Sequence, residues 1–284
     1  MKRALLLLSM LAACSSLPVV APDAGTPCAA GTCDAGPPDA GNPDADAGAI
    51  DAGTTDAGDV DAGSTVDAGA PDAGPRLPLD GGHGHILGTC GRVASELDAG
   101  APSYFEVHLD FGTDRYDDPQ ERPRLTAGAQ QILVEGTAGG SSGVSEAFAY
   151  EVLALCEGAS FLKSETHITY VPPTSKKTDI LVAIAGQQVG VSVTRAVAFP
   201  PDSGYPVTPA RVTFLQGKLD DILVSSMNVV PPDNWVKQVL VVFAYDTMHA
   251  ATIRTIWEGL SPTTQANTVL YVVVTDGDDS AIYF

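Results

Sequence analysis

Aromatic side chains make up only 6% of this 284-residue chain, basic residues number 15 against 35 acidic ones, and cysteine occurs five times. Each scarcity excludes something. No apolar run approaches the roughly 20 residues of a membrane-spanning helix, which excludes a multi-span membrane protein. A net charge of −20 leaves no electrostatic footprint for nucleic acid. The composition fits neither a coiled coil nor a collagen-like repeat. Gly-x-Ser-x-Gly and His-Glu-x-x-His are absent, and no cysteine stands in a recognisable nucleophile context. Large side chains are also nearly missing from residues 15–80, a run of Ala, Asp, Gly, Pro and Thr holding twelve Asp and one Arg. Such a run has no apolar face to bury and cannot offset the entropy of ordering. What remains is a body, 81–284, with enough apolar residues for one sizeable core and a charge of −11.

The chain starts Met1-Lys2-Arg3, continues with ten apolar or small residues (Ala4 to Ala13), and reaches Leu11-Ala12-Ala13-Cys14-Ser15-Ser16. The apolar stretch has the length of the core of an export signal, too short to span a bilayer. The junction resembles the lipobox of bacterial lipoproteins. That resemblance implies a signal peptide over 1–13, a lipidated Cys14, and attachment to the bacterial cell envelope through the acyl chains, each buried CH₂ of which adds about 0.8 kcal/mol. Ser15 after the anchor resembles outer-membrane sorting. Asp-Ala-Gly then recurs nine times between 23 and 74. A flexible, self-repelling linker is expected over 14–80, averaging roughly 45–50 Å end to end. Similar tethers follow the lipidated Cys in other envelope lipoproteins.

With Cys14 assigned to lipid, Cys28, Cys33, Cys90 and Cys156 remain, an even number in an exported chain. Cys28 and Cys33 would close a small loop in the tether, and Cys90 and Cys156 would pin an early strand to a helix. Cys156 fits equally well as a buried thiol.

In the body, Ile86–Leu97, Ser103–Phe111 and Gln130–Glu135 read as strands. The second alternates Phe105, Val107, Leu109 and Phe111 with Glu106, His108 and Asp110. The glycine-rich stretch at 136–143 lacks the Gly-Lys-Ser/Thr ending of a nucleotide loop and reads as a turn. Ser145–Glu157 is apolar nearly all round, as a buried helix is. Three strands follow, Ser160–Tyr170, Asp179–Ile184 and Val189–Arg195, then a helix opened by Thr208-Pro209. Val236–Tyr245 and Thr268–Thr275 read as fully buried strands on either side of a helix that Thr247 caps, and Ser280–Phe284 as a short last strand. The fold class expected is α/β, a mixed sheet flanked by helices.

From residue 145 the order is helix, three strands, helix, strand. This resembles the restriction-endonuclease-like core of the PD-(D/E)XK nucleases over 145–246. The resemblance implies an acid on the first helix, met here by Glu146 and Glu151. It also implies an Asp opening the second strand, met by Asp179, and an acid and a lysine two apart on the third, where Ser192 and Thr194 stand. Hydroxyls are poor ligands for the Mg or Mn such an enzyme would use. Lys163 and Lys218 are candidates to supply the missing cation. The reading is a degenerate, non-catalytic binding or structural module, with no cofactor and no nucleic-acid partner. The alternative is a metal-dependent nuclease or hydrolase acting outside the cytoplasm. What separates them is whether Asp179 meets a second carboxylate and a lysine in one cleft. Two weaker groupings complete the inventory. His83 and His85 with Glu106, His108 and Asp110 form a candidate transition-metal set, read here as a solvated strand face. Asp276, Asp278 and Asp279 read as a hairpin turn.

Overall fold

The computed structural model describes residues 77–78, 83–137 and 142–284. Cys14, Cys28, Cys33 and the Asp-Ala-Gly run lie outside them. Among the described residues, eight strands form one mixed sheet: β1 Leu77–Pro78, β2 His85–Gly88, β3 Ser103–Asp110, β4 Ser160–Ser164, β5 Ile180–Ile184, β6 Gln187–Ala196, β7 Lys237–Ala244 and β8 Val269–Asp276, in the order β1-β2-β3-β8-β7-β6-β5-β4. The four central strands β3, β8, β7 and β6 run parallel, and the pairs at both edges are antiparallel. This is the expected α/β class. The sheet begins a few residues earlier than the boundary at 81, because Leu77 and Pro78 pair with Ile86 and His85.

Among the described residues, six helices flank the sheet: α1 Ala127–Glu135, α2 Gly143–Glu157, α3 Pro209–Asn228, α4 Thr247–Gly259, α5 Pro262–Gln265 and α6 Ser280–Tyr283. In β7 and β8 the residues from Val239 to Ala244 and from Val269 to Val274 are apolar and buried without alternation, so both faces must be covered. Val239, Val241 and Phe243 of β7 pack beneath α1, α2 and α6, while Leu240, Val242 and Ala244 pack beneath α3 and α4. Burying each such Val, Leu or Phe contributes about 1.5–3 kcal/mol relative to leaving it in water. Lys237 opens β7 fully buried, and its Nζ donates to the carbonyls of Ala99 (2.7 Å) and Ala101 (2.9 Å). Burial pushes its pKa down.

Five expectations need correction. The strand expected over Ser160–Tyr170 ends at Ser164, and Glu165–His167 turns as a 3₁₀ helix. Gln130–Glu135 belongs to helix α1, not a strand, because the Thr126 hydroxyl caps the Ala129 N–H and starts a helix that docks on α2. The first strand covers only His85–Gly88. Gly88 and Gly91 take positive φ and end it, and Val93–Glu96 is a 3₁₀ turn whose Val93 N–H donates to the buried Glu157 carboxylate (2.8 Å). The chain end is helical rather than extended: Gly277 turns at φ +79 against Gly112, and the Thr275 hydroxyl gathers Asp279 and the Tyr283 hydroxyl beneath the last turn. Finally, Asp246 rather than Thr247 caps α4, its Oδ1 accepting from His249 N–H at 2.7 Å.

A disulfide joins Cys90 to Cys156, whose Cα atoms lie 4.7 Å apart across 66 residues of sequence. Beside it the Gly91 N–H donates to the Cys156 carbonyl (2.8 Å). The bridge and this bond together tie the segment after β2 to the last turn of α2.

Candidate functional site

The segment α2-β4-β5-β6-α3-β7 sets the site. Strands β4, β5 and β6 form an antiparallel meander, and β7 runs parallel to β6 on its other side. Helix α2 lies on one face and α3 on the other. Where β6 reaches its carboxyl end, the start of α2 and the middle of α3 project past the sheet. A cleft of about 320 Å³ opens there, lined by Ser142, Ser145, Glu146, Asp179, Thr194, Arg195 and Lys218 with Val193 and Phe214.

Asp179 is placed by the ladder. Its N–H donates to the Val191 carbonyl (3.0 Å), and its Oδ2 accepts from the Val193 N–H (2.6 Å). With Ile180 opposite Val191, Asp179 falls beside Ser192. Glu146 stands in the first turn of α2, buried at 3% exposure. Removal from water pushes the Asp179 carboxyl up to about 8, and the neighbouring Glu146 charge adds to it. Burial likewise pushes Glu146 up to about 7, against a lowering hydrogen bond from Ser142. Two acids that share a partly buried cleft resist ionising together, because each charge is poorly hydrated and faces a like charge. The cationic side chains come from opposite faces: Arg195 from β6, whose Nη1 donates to the Ile282 carbonyl (3.2 Å), and Lys218 from α3, whose Nζ lies 5.9 Å from the Phe214 ring.

Of the residues singled out from sequence, Glu146, Asp179, Thr194 and Lys218 line this cleft together. Ser192 does not line it; its hydroxyl sits 3.1 Å from that of Thr178 beside the cleft floor. Glu151 is turned elsewhere. It is fully buried, and its Oε1 accepts from the Thr126 N–H (2.7 Å) and hydroxyl (2.5 Å), so it holds the start of α1. One helical turn plus one residue separates it from Glu146, enough to rotate it off the cleft-facing side. Lys163 is bound to Asp233 (2.6 Å) and is not a cleft residue. Arg195, expected only as the last residue of the third strand, is a cleft residue that the sequence pattern did not single out. The signal was its place at the end of β6.

Magnesium or manganese, the ions implied by the nuclease resemblance, do not fit this donor set. The cleft offers two carboxyls, and one oxygen of Asp179 is already engaged by a backbone N–H. Among the described residues, the cleft holds no group of three His, Cys, Asp or Glu ligand atoms within 4.8 Å of one another. Paired divalent ions require several carboxylates at close range.

The weaker groupings separate. His108 pairs with Asp276 (3.3 Å), Glu106 takes the Tyr104 hydroxyl, and Asp110 Oδ1 accepts from Gly112 N–H (2.8 Å). His83 leaves this set and lies against the loop between β3 and α1. Asp279 is tied to Thr275, while Asp278 accepts from Ser280 (3.0 Å).

No family profile matches this chain, and no solved structure matches it. A curated protein that it resembles is the AAC-rich mRNA clone AAC4 protein of Dictyostelium discoideum, 37% identical over 153 residues, which is 52% of this chain and 22% of that protein. The chain thus spans about a fifth of that relative's length, whose printed name states no activity. The resemblance gives no support to a bacterial origin.

Proposed function

We propose that this protein is a lipid-anchored component of the bacterial cell envelope whose body carries a degenerate PD-(D/E)XK-type cleft, used for binding rather than for phosphodiester cleavage. The observation that supports the binding reading is the cleft composition: a helix acid and a strand acid meet, but the third strand contributes Thr194 where a lysine belongs, and Ser192 brings no third carboxylate. With both acids inclined to hold protons near neutral pH, Arg195 and Lys218 leave the cleft suited to a small ligand bearing an anionic group. The envelope reading is supported by the lipobox-like Leu-Ala-Ala-Cys, by the acidic tether, and by a disulfide in the body, a bond that persists in exported proteins. Among the described residues no helix is long and apolar enough to cross a membrane, so membrane attachment under this reading falls to Cys14.

A second reading, a metal-dependent hydrolase, is favoured by one observation: Lys218 lines the same cleft as Glu146 and Asp179 and so supplies a lysine that the third strand, with Thr194 at that position, does not. DNA and RNA degradation by the purified chain, with Mg²⁺ or Mn²⁺ at low salt, separates the two. No cleavage above background is expected. Metal-dependent cleavage abolished by Asp179→Ala would replace the first reading with the second.

Anchorage has its own test. Cys14→Ser is expected to shift the protein from the membrane fraction to the soluble fraction, or to stall its maturation, since it removes every acyl chain at once. A mutant that matures and sediments with membranes as before rejects the lipid anchor.

A further inference from the structure

His83 is fully buried, and neither ring nitrogen makes a hydrogen bond. A buried imidazole in that condition leaves a donor and an acceptor unsatisfied, a cost of about 1–3 kcal/mol for each. The ring is walled by Tyr116 (centroids 5.3 Å) and Phe148 (6.4 Å), both edge-on. On the remaining side stand Asp114 and Glu121, and one ligand atom from each of the three residues lies within 4.8 Å of the others. His83 Nδ1 is 3.5 Å from Glu121 Oε2. Two ligands about 2.1 Å from one zinc ion at the tetrahedral angle stand about 3.4 Å apart, so this pair already has the spacing of two ligands on one ion.

The carboxylates are held from behind. Arg124 bonds Glu121 Oε1 (2.6 Å) and Asp114 Oδ2 (3.1 Å), and the Asp117 N–H donates to Glu121 Oε2 (3.0 Å). The guanidinium thus orients both acids while Glu121 Oε2 faces the imidazole, the role that outer partners take around metal ligands. Two carboxylates against one guanidinium leave a local charge of −1 for a cation to meet. Burial, and then Arg124, also lower the His83 pKa and favour the neutral imidazole that metals require.

We propose that His83, Asp114 and Glu121 form a binding site for one divalent transition cation of the zinc class, separate from the Glu146–Asp179 cleft. One imidazole and two carboxylates suit Zn²⁺ and leave one position of its tetrahedron to a non-protein ligand. The site clamps the start of the body, just before β2, to the loop joining β3 and α1. Bound metal therefore fastens the residues leading into β2 to that loop.

The test is calorimetric titration of Zn²⁺ into the full chain. One tight one-to-one event is expected, accompanied by a rise in melting temperature. His83→Gln should weaken it by more than about a hundredfold, beyond the 10–100-fold typical of outer-shell changes, and Glu121→Gln by about tenfold or more. Glu146→Gln/Asp179→Asn and Cys28→Ser/Cys33→Ser chains should keep the native affinity. If His83→Gln does not fold, Glu121→Gln and Asp114→Asn decide, since both acids are partly exposed and conservatively replaced. The proposal is overturned by a native chain with no such event, by Glu121→Gln and Asp114→Asn both binding as the native chain does, or by loss of the event in the cleft or tether variants instead.

Discussion

Replacing Cys90 and Cys156 together with Ala is expected to lower the stability of the body by about 4 kcal/mol, because the bridge closes a loop of 66 residues and chain entropy scales with the logarithm of that length. For a domain of this size the melting temperature should fall by about 8–16 °C. The bridge encloses β3, α1 and nearly all of α2, so the released entropy belongs to one strand of the sheet and the two helices over it. Local hydrogen bonds do not replace it: Gly91 to the Cys156 carbonyl and Val93 to Glu157 order the folded segment but place no restraint on the unfolded chain. Thermal or denaturant unfolding of the oxidised, reduced and double-Ala chains measures the effect. A double-Ala chain that melts within about 2 °C of the oxidised one would show that the bridge is energetically idle.

The second large effect is the pH dependence built into the Glu146–Asp179 pair. Both folded pKa values lie above the unfolded ones, at about 7 and about 8. The folded state therefore binds more protons than the unfolded state between about pH 4 and 8, and stability falls as pH rises through that window. Each tenfold change in proton affinity corresponds to about 1.4 kcal/mol, so the pair should cost on the order of 5 kcal/mol at pH 9 relative to pH 4, with solvent access through the cleft reducing it from the full value. Glu165 adds to the effect and Arg195 opposes it at Glu146, while Lys218 opposes it at Asp179. Other buried acids, Glu157 and Asp279, tilt the curve the same way, which makes the comparison with a variant essential. Asp179→Asn/Glu146→Gln keeps the shapes and the Val193 bond while removing the charges. Its stability should decline less between pH 5 and 9 than that of the native chain, measured by urea unfolding without divalent ions. Parallel curves for the two chains would mean that the cleft acids ionise freely.

Local pattern was enough for much of the fold. Val236–Tyr245 and Thr268–Thr275 announce central strands because a parallel sheet covered on both faces tolerates apolar residues at every position. Thr208-Pro209 announces α3 because an N-cap followed by proline satisfies the helix start without tertiary help. Asp179 and Glu146 were legible as candidates because the order of elements, once known, puts a strand start beside a helix start.

Other features depended on contacts between residues far apart in sequence. Gln130–Glu135 has the residues of a strand, yet the Thr126 cap and the α2 surface make it a helix. Ser280–Phe284 has the same ambiguity, resolved by Thr275 and by space beneath α2. Glu151 resembles Glu146 in type and helix, and only its rotation about the α2 axis, with Thr126 waiting on the other side, removes it from the cleft. Lys218 enters the cleft because α3 crosses the opposite face at that height. His83 meets Asp114 and Glu121 because the β3–α1 loop folds back over it. Sequence by itself determined which segments bury their side chains, since burial follows from apolar periodicity within a dozen residues. Which charged groups face one another was decided by the packed sheet and helices alone, because those distances are set by crossovers of 30 to 70 residues whose paths no local pattern records.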